Sequence, residues 1–254
     1  MTDCPGFGLL LIGDELLRGT RQDAHLPHMI ELMRRHGQDI RWAHMVGDDR
    51  AEIVRTLDWS RRQPEIVFSF GGIGATPDDQ TRQAAAEAWG LPLEPHPEAV
   101  ALIERQFGEA ARPQRIRMAE LPAGARLIPN PVNNVPGFSL DRHHFLPGFP
   151  DMAWPMAEWV LKEEYPHCLE GLPDTEWRIL IEDTPESDLI PLMESLLERH
   201  PGLRISCLPD TRHRRRIDLG LKGDAVTVGA AGGELVRWLT EQGKAWRPVE
   251  ADTL

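Results

Sequence analysis

Residues 65–82 read EIVFSFGGIGATPDDQTR. Ile66 to Phe70 is a short apolar run of β-branched and aromatic residues, the pattern of a buried strand. Gly71, Gly72 and Gly74 follow at once and let a ligand come close to the main chain. Thr76 is placed to cap a helix, with Pro77 at its first position, Asp78 and Asp79 in its first turn and Thr81 just after. A strand, a glycine loop and a helix N-terminus in succession form a place for a phosphate. Neither common phosphate loop matches. A P-loop ends in Gly-Lys-Ser/Thr, and there is no lysine here; the dinucleotide fingerprint needs a third glycine where Pro77 stands. The same residues also read as a tight turn whose aspartates complement the helix dipole.

Upstream, Phe7 to Ile12 is near-continuously apolar, as in a strand buried on both faces, and runs into Gly13-Asp14-Glu15. Ala24 to His36 has helical spacing, with Leu26, Met29, Ile30 and Met33 on one face. Ile40 to Val46 reads as a second strand ending in Gly47-Asp48-Asp49, and Asp49 to Arg62 as a helix. Strands alternating with helices predict an α/β domain with a mainly parallel sheet. Downstream, Pro97 to Phe107 reads as a helix and Arg126 to Ile128 as a short strand. Asn133 to Phe138 is turn chemistry, His143 to Leu146 a last strand, and Met152 to Tyr165 a closing helix. Gly, Pro and Glu crowd the stretch 166–173. A boundary there separates a domain over 1–168 from a small α+β domain over 174–246.

The 254 residues are 41% hydrophobic and 27% charged, enough to bury a sizeable core. The formal charge of −12 argues against nucleic acid as a partner. Three scattered cysteines, Cys4, Cys168 and Cys207, offer no metal cluster and suit a reducing compartment. With no secretory signal and no long apolar run, the expectation is a soluble cytoplasmic protein without membrane contact.

Three loops leave the carboxyl ends of successive strands, and each carries acids: Asp14 and Glu15, Asp48 and Asp49, Asp78 and Asp79. Open parallel sheets bind ligands in that crevice. Carboxylates crowded there repel one another unless a cation sits among them, and oxygen ligands suit Mg²⁺, Ca²⁺ or Mn²⁺. Asp14, Asp49 and Asp78 also read as helix-start residues. Asp48 and Asp79 are therefore the expected catalytic and metal-holding acids, with Glu15 as a third ligand. His143 and His144 are adjacent, so on a strand they face opposite sides and read as sheet residues with local partners. The basic run Arg212 to Arg216 reads as a solvated edge that discourages sheet pairing.

Taken together, Ile12-Gly13-Asp14-Glu15-Leu16-Leu17, Val46-Gly47-Asp48-Asp49, the run Gly71 to Thr81, Asn130, Val135-Pro136-Gly137-Phe138 and Leu146-Pro147-Gly148-Phe149-Pro150 carry a resemblance. The chain resembles the molybdopterin-binding domain of molybdenum-cofactor biosynthesis proteins, and within that superfamily the competence/damage-inducible protein A (CinA-like) family. Glu186-Ser187-Asp188-Leu189 extends the likeness into the small second domain. The resemblance implies a three-layer α/β/α sandwich, a homo-oligomer, and a phosphate-bearing small molecule, nucleotide or pterin, at the glycine loop. It implies ligand contacts at Gly71, Gly72, Gly74, Ala75, Thr76, Thr81, Asn130, Pro136 and Gly137. CinA-like members are associated with divalent-metal-dependent cleavage of the pyrophosphate of ADP-ribose and related nucleotides, with Mg, Mn or Co as the metal. The alternatives are a molybdopterin-binding or adenylating protein and a non-catalytic nucleotide-binding module. Asn133, His25 and Ala75 stand where the family more often has glycine, asparagine and proline, and the metal-binding acids remain. The chain stops before the amidohydrolase domain that many members append, so no deamidation of nicotinamide mononucleotide is expected.

Overall fold

Leu9 and Leu11 on one face and Leu10 and Ile12 on the other leave β1 (Phe7–Ile12) no polar side to turn toward water, and all six of its residues are buried. The computed structural model describes residues 4–210 and 216–249. After β1 come a short helix α1 (Asp14–Leu17), α2 (His25–Arg34), β2 (Ile40–Val46), α3 (Arg50–Ser60), the fully buried β3 (Ile66–Phe70) and α4 (Thr81–Trp89). Next are β4 (Leu93–Pro95), α5 (Pro97–Phe107), β5 (Glu120–Pro122), β6 (Arg126–Ile128), β7 (Gly137–Leu140), β8 (His143–Leu146) and α6 (Pro150–Glu164). Asp49 caps α3 by accepting the Glu52 N–H, and Gly90, in the left-handed region, closes α4.

Six of these strands form one mixed sheet in the order β2-β1-β3-β8-β7-β6. β1 is parallel to β2 and β3, and β3 to β8, while β7 runs antiparallel to both neighbours. Successive side chains of a strand point to opposite faces. Leu10, Ile12 and Val67 pack on Ile53 and Leu57 of α3, Ala84 and Ala85 of α4 and Ile103 of α5. Leu9, Leu11 and Phe68 pack on Met29 and Met33 of α2 and Met156 and Val160 of α6. The result is three layers, helix on sheet on helix.

The chain divides into two compact units after Leu172. The second unit holds β9 (Thr175–Ile181), α7 (Glu186–Arg199), β10 (Arg204–Pro209), β11 (Ile217–Gly223), α8 (Ala225–Glu241) and β12 (Trp246–Pro248). Its antiparallel sheet runs β10-β11-β9-β12 and buries Ile179, Leu219 and Leu221 against Leu189, Leu196 and Leu235 of the two helices. Arg212 to Arg215 of the basic run lie outside the described residues; Arg216 bonds Glu182 at 3.0 Å. No described helix is long and apolar enough to cross a membrane.

Two expectations need correction. Phe138, assigned above to a turn, belongs to β7, which begins at Gly137 and folds back on β8. Nothing in a four-residue strand distinguishes it from the turn it leaves. Cys4 and Cys168 form a disulfide with Cα atoms 5.3 Å apart, and Cys207 is free. With 164 residues between them, their meeting follows only from the packing of the first unit, and it removes the cysteine argument for a reducing compartment.

His143 and His144 do face opposite layers. His143 meets the Ser60 hydroxyl at 2.8 Å; His144 meets Ser139 at 2.8 Å and Tyr165 at 2.9 Å. Burial pushes both imidazoles down to about 3, with nearby arginine charge adding to it. Both are held neutral when folded and protonate near 6.5 when unfolded. Their contribution is therefore fully present above pH 6.5 and is lost as pH falls toward 3. Stability of the first unit should fall by up to about 1.4 kcal/mol per pH unit per histidine across that window. Denaturant melts from pH 7 to 4 check this, and a His144→Gln variant should flatten the slope. An equally steep slope in that variant would rule out His144 as a source.

Candidate functional site

Because β2, β1, β3 and β8 are parallel, the loops after all four open at one edge of the sheet. The chain passes from β1 out to β2 and back to β3 on the other side, so the order reverses at β1/β3, where such sheets bind ligands. A cavity of about 510 Å³ lies there. Its walls include Glu15, Asp48, the segment from Gly71 to Thr76, Asp78, Asp79, Asn130, and Phe107, Met118 and Met152. A second cleft, about 450 Å³, sits at the opposite edge beside Arg61, Arg142 and His143, away from these loops.

The glycine loop does not lead directly into a helix. Thr76 to Asp79 is a closed turn: the Asp79 N–H donates to the Thr76 carbonyl at 3.1 Å, and Asp79 Oδ2 accepts the Thr76 N–H at 2.8 Å and its hydroxyl at 2.5 Å. Helix α4 begins only at Thr81. Thr76 therefore caps no helix, and Asp78 and Asp79 precede α4 rather than filling its first turn. The Asp79 carboxylate is spent on closing this turn onto the Thr76 N–H and hydroxyl.

What the loop presents is main chain. Among the described residues no protein group accepts the N–H of Gly72, Ile73, Gly74 or Ala75. Four uncommitted donors in succession on a cavity wall suit an anion. The loop is braced from behind. Gly71 donates to the Leu146 carbonyl at 3.0 Å, the buried Thr81 hydroxyl donates to the Gly71 carbonyl at 2.9 Å, and the Thr81 N–H donates to the Gly72 carbonyl at 3.0 Å. Arg82, 2% exposed, donates to the carbonyls of Gly74, Arg117 and Glu120. It places a buried positive charge beneath the loop. Sequence reasoning passed over Arg82. The available signal was a lone arginine on an inward helix face otherwise built of Ala84, Ala85 and Ala88.

The acids line the same cavity as this loop. Asp14 and Asp48 lock two loops together: the Asp14 N–H donates to Asp48 Oδ2 at 2.9 Å, and the Asp48 N–H donates to Asp14 Oδ1 at 3.2 Å. Burial raises the Asp48 carboxyl above its ordinary value. The charges of Asp14, Glu15 and Asp78 raise it further, against the opposing bond from Asp14. Asp79 lies over Gly74, where a Cβ would come within 2.4 Å of Oδ2.

Several expected ligand residues have other duties. Thr81 supports the loop from behind and does not line the cavity, and neither does Pro136 or Gly137. Gly137 sits in β7, where a Cβ would meet the Phe145 carbonyl at 2.5 Å, so close strand approach selects the glycine. Asn130 lines the cavity, but its amide is spent on its own loop, donating to Asn133 Oδ1 at 2.8 Å and the Val135 carbonyl at 3.0 Å. Among the described residues no three His, Cys, Asp or Glu side chains stand together tightly enough to hold a metal ion. Glu15, Asp48 and Asp79 line one cavity without forming a ready-made nest, because each carboxylate is turned by a local backbone or arginine contact. They fit a cation only of the kind that takes one or two carboxylates and completes its shell with water and ligand phosphates.

An open α/β sheet with bare main-chain donors and carboxylates lining one cavity at its switch point defines a domain built around a small-molecule cavity. Residues 8–167 match the family profile described as "Probable molybdopterin binding domain", and the chain belongs to that family. Protein Ta0487 of Thermoplasma acidophilum is 27% identical over 209 residues, 79% of each chain. A CinA-like protein of Syntrophotalea carbinolica is 34% identical over 163 residues, which are 61% of this chain and 40% of that one. The crystal structure of the protein CinA, of unknown function, from Thermoplasma acidophilum superposes with a TM-score of 0.59 at 28% identity, covering 63% of this chain and 98% of that chain. Within its family the chain thus resembles the CinA-like proteins.

Proposed function

We propose that the chain hydrolyses the diphosphate bridge of ADP-ribose-like nucleotides with the help of a divalent cation. The observation that carries this reading is that four uncommitted N–H groups, Gly72 to Ala75, and the carboxylates of Glu15, Asp48 and Asp79 line one cavity. The loop would hold one phosphoryl group by its N–H dipoles and the Arg82 charge beneath it. Asp48 and Asp79, with Glu15 beside them, are the groups that would hold Mg²⁺, Mn²⁺ or Co²⁺ against the diphosphate, and such an ion would supply charge neutralisation and polarisation of the bridging phosphate. A cation beside Asp48 would offset the repulsion from Asp14, Glu15 and Asp78 that disfavours its charge, so an acid in that position suits the role. Phe107, Met118 and Met152 offer an apolar wall for a flat ring.

A pterin is the second reading, favoured by the description of the family itself. The deciding experiment supplies ADP-ribose with each of the three ions and follows AMP and phosphosugar release. Metal-dependent release is expected. Absence of turnover together with a tightly retained pterin would replace the hydrolase reading with the second one. Nucleotide binding without turnover would leave a non-catalytic module.

A further inference from the structure

We infer that Arg21 receives the second phosphoryl group of a diphosphate-bearing ligand whose first phosphoryl group sits in the glycine loop. The inference rests on the hydrolase reading above and extends it to a residue that no motif pointed to. Four residues on the cavity wall carry carboxylates, Glu15, Asp48, Asp78 and Asp79, and Arg21 is the one described lysine or arginine among the lining residues. A diphosphate entering such a cavity meets mostly like charge, so a fixed cation on the wall bears directly on which anions are admitted.

The position of Arg21 is set by contacts, not by sequence proximity. Its Nη2 donates to the Gly148 carbonyl at 2.9 Å. Gly148 in turn lies against the glycine loop, since a Cβ built on it would stand 3.4 Å from Gly71 Cα. The guanidinium is therefore one residue removed from the loop that takes the first phosphoryl group, and the second phosphoryl group of a diphosphate must lie next to the first. The guanidinium also sits 5.5 Å over the exposed ring of Phe149, which helps to fix its plane.

Arginine has five N–H donors in a rigid fork that matches two phosphate oxygens at once. The bond to Gly148 uses one of them. The nearest carboxylate, Glu15, is 3.9 Å away, an ion pair beyond hydrogen-bond distance. The side chain is 39% exposed, so the rest of the fork is open to the cavity. Arg18, close by in sequence, is bound instead to Asp14 at 2.6 Å and does not line the cavity.

The test is calorimetric binding of inorganic phosphate and inorganic pyrophosphate to the full chain at fixed Mg²⁺. The proteins compared are the native chain, Arg21→Ala, Arg21→Lys, and Arg55→Ala as a surface control, each checked for folding by a melt. The native chain should bind pyrophosphate more tightly than phosphate. Arg21→Ala should weaken pyrophosphate binding about tenfold or more, the effect of losing a charged hydrogen bond, and leave phosphate binding within about twofold. Arg21→Lys, which keeps charge but loses the fork, should fall between, and Arg55→Ala should match the native chain. An unchanged pyrophosphate affinity in Arg21→Ala, or an equal loss for both anions, would overturn the inference and leave the loop reading standing. Failure of the native chain to bind either anion would overturn the loop reading and this inference with it.

Discussion

Asp48→Asn is expected to lower ADP-ribose turnover about a hundredfold or more, roughly 3 kcal/mol of transition-state stabilisation, in a protein that folds normally. The exchange is conservative in shape. Asparagine keeps an oxygen for the Asp14 N–H that joins the two loops. It removes the charge, which is what a cation and a diphosphate would use. The pH behaviour separates this role from a structural one. Asp48 is raised from 3.8 by burial first and by the neighbouring acids second, so its ionised form is the one the fold disfavours. That penalty is absent below the unfolded value and complete above the folded value. The asparagine variant should therefore be at least as stable as the native chain at pH 7, and the difference should vanish as pH falls through 3.8. A variant that is less stable at pH 7 yet fully active would show that Asp48 only ties loops together.

Most of the frame was legible because β1 and β3 carry apolar residues at consecutive positions, which only a strand covered on both faces tolerates. The helices between them were legible from their spacing and from the Asp49 cap before α3. The glycine loop was legible as a place, since three glycines after a buried strand have few other uses. What the sequence hid was competition for the same donors. Asp79 reads as a first-turn helix residue, yet its carboxylate folds back on Thr76 and α4 begins only at Thr81. Thr81 reads as a ligand contact, yet its hydroxyl is taken by the Gly71 carbonyl. The bonds of Arg82 to Arg117 and Glu120 span 35 and 38 positions and the Cys4–Cys168 pair spans 164, and no local pattern encodes such distances.

Gly71→Ala should be among the most damaging single-methyl changes in the first unit, costing about 3 kcal/mol or more of stability. Two effects add. Gly71 has φ of +105°, which alanine reaches only under strain. In addition, a Cβ there would stand 2.2 Å from the carbonyl oxygen of Ile12, the last residue of β1. That oxygen belongs to the central strand and cannot swing aside as a side chain would. Moving Gly71 instead would break its bond to the Leu146 carbonyl and the one it accepts from Thr81. Gly90→Ala is the control: φ is +65° and nothing lies within 4 Å of the added methyl, so only the left-handed strain of about 1 kcal/mol remains. For a unit of this size each kcal/mol lowers the melting temperature by about 2–4 °C. Gly71→Ala should thus melt at least about 6 °C lower and lose anion binding at the loop, whereas Gly90→Ala should lose a few degrees and bind normally. Equal melting temperatures for the two variants would mean that the loop yields at Ile12, and that the glycine loop is not wedged between β1 and β8 as a rigid cradle requires.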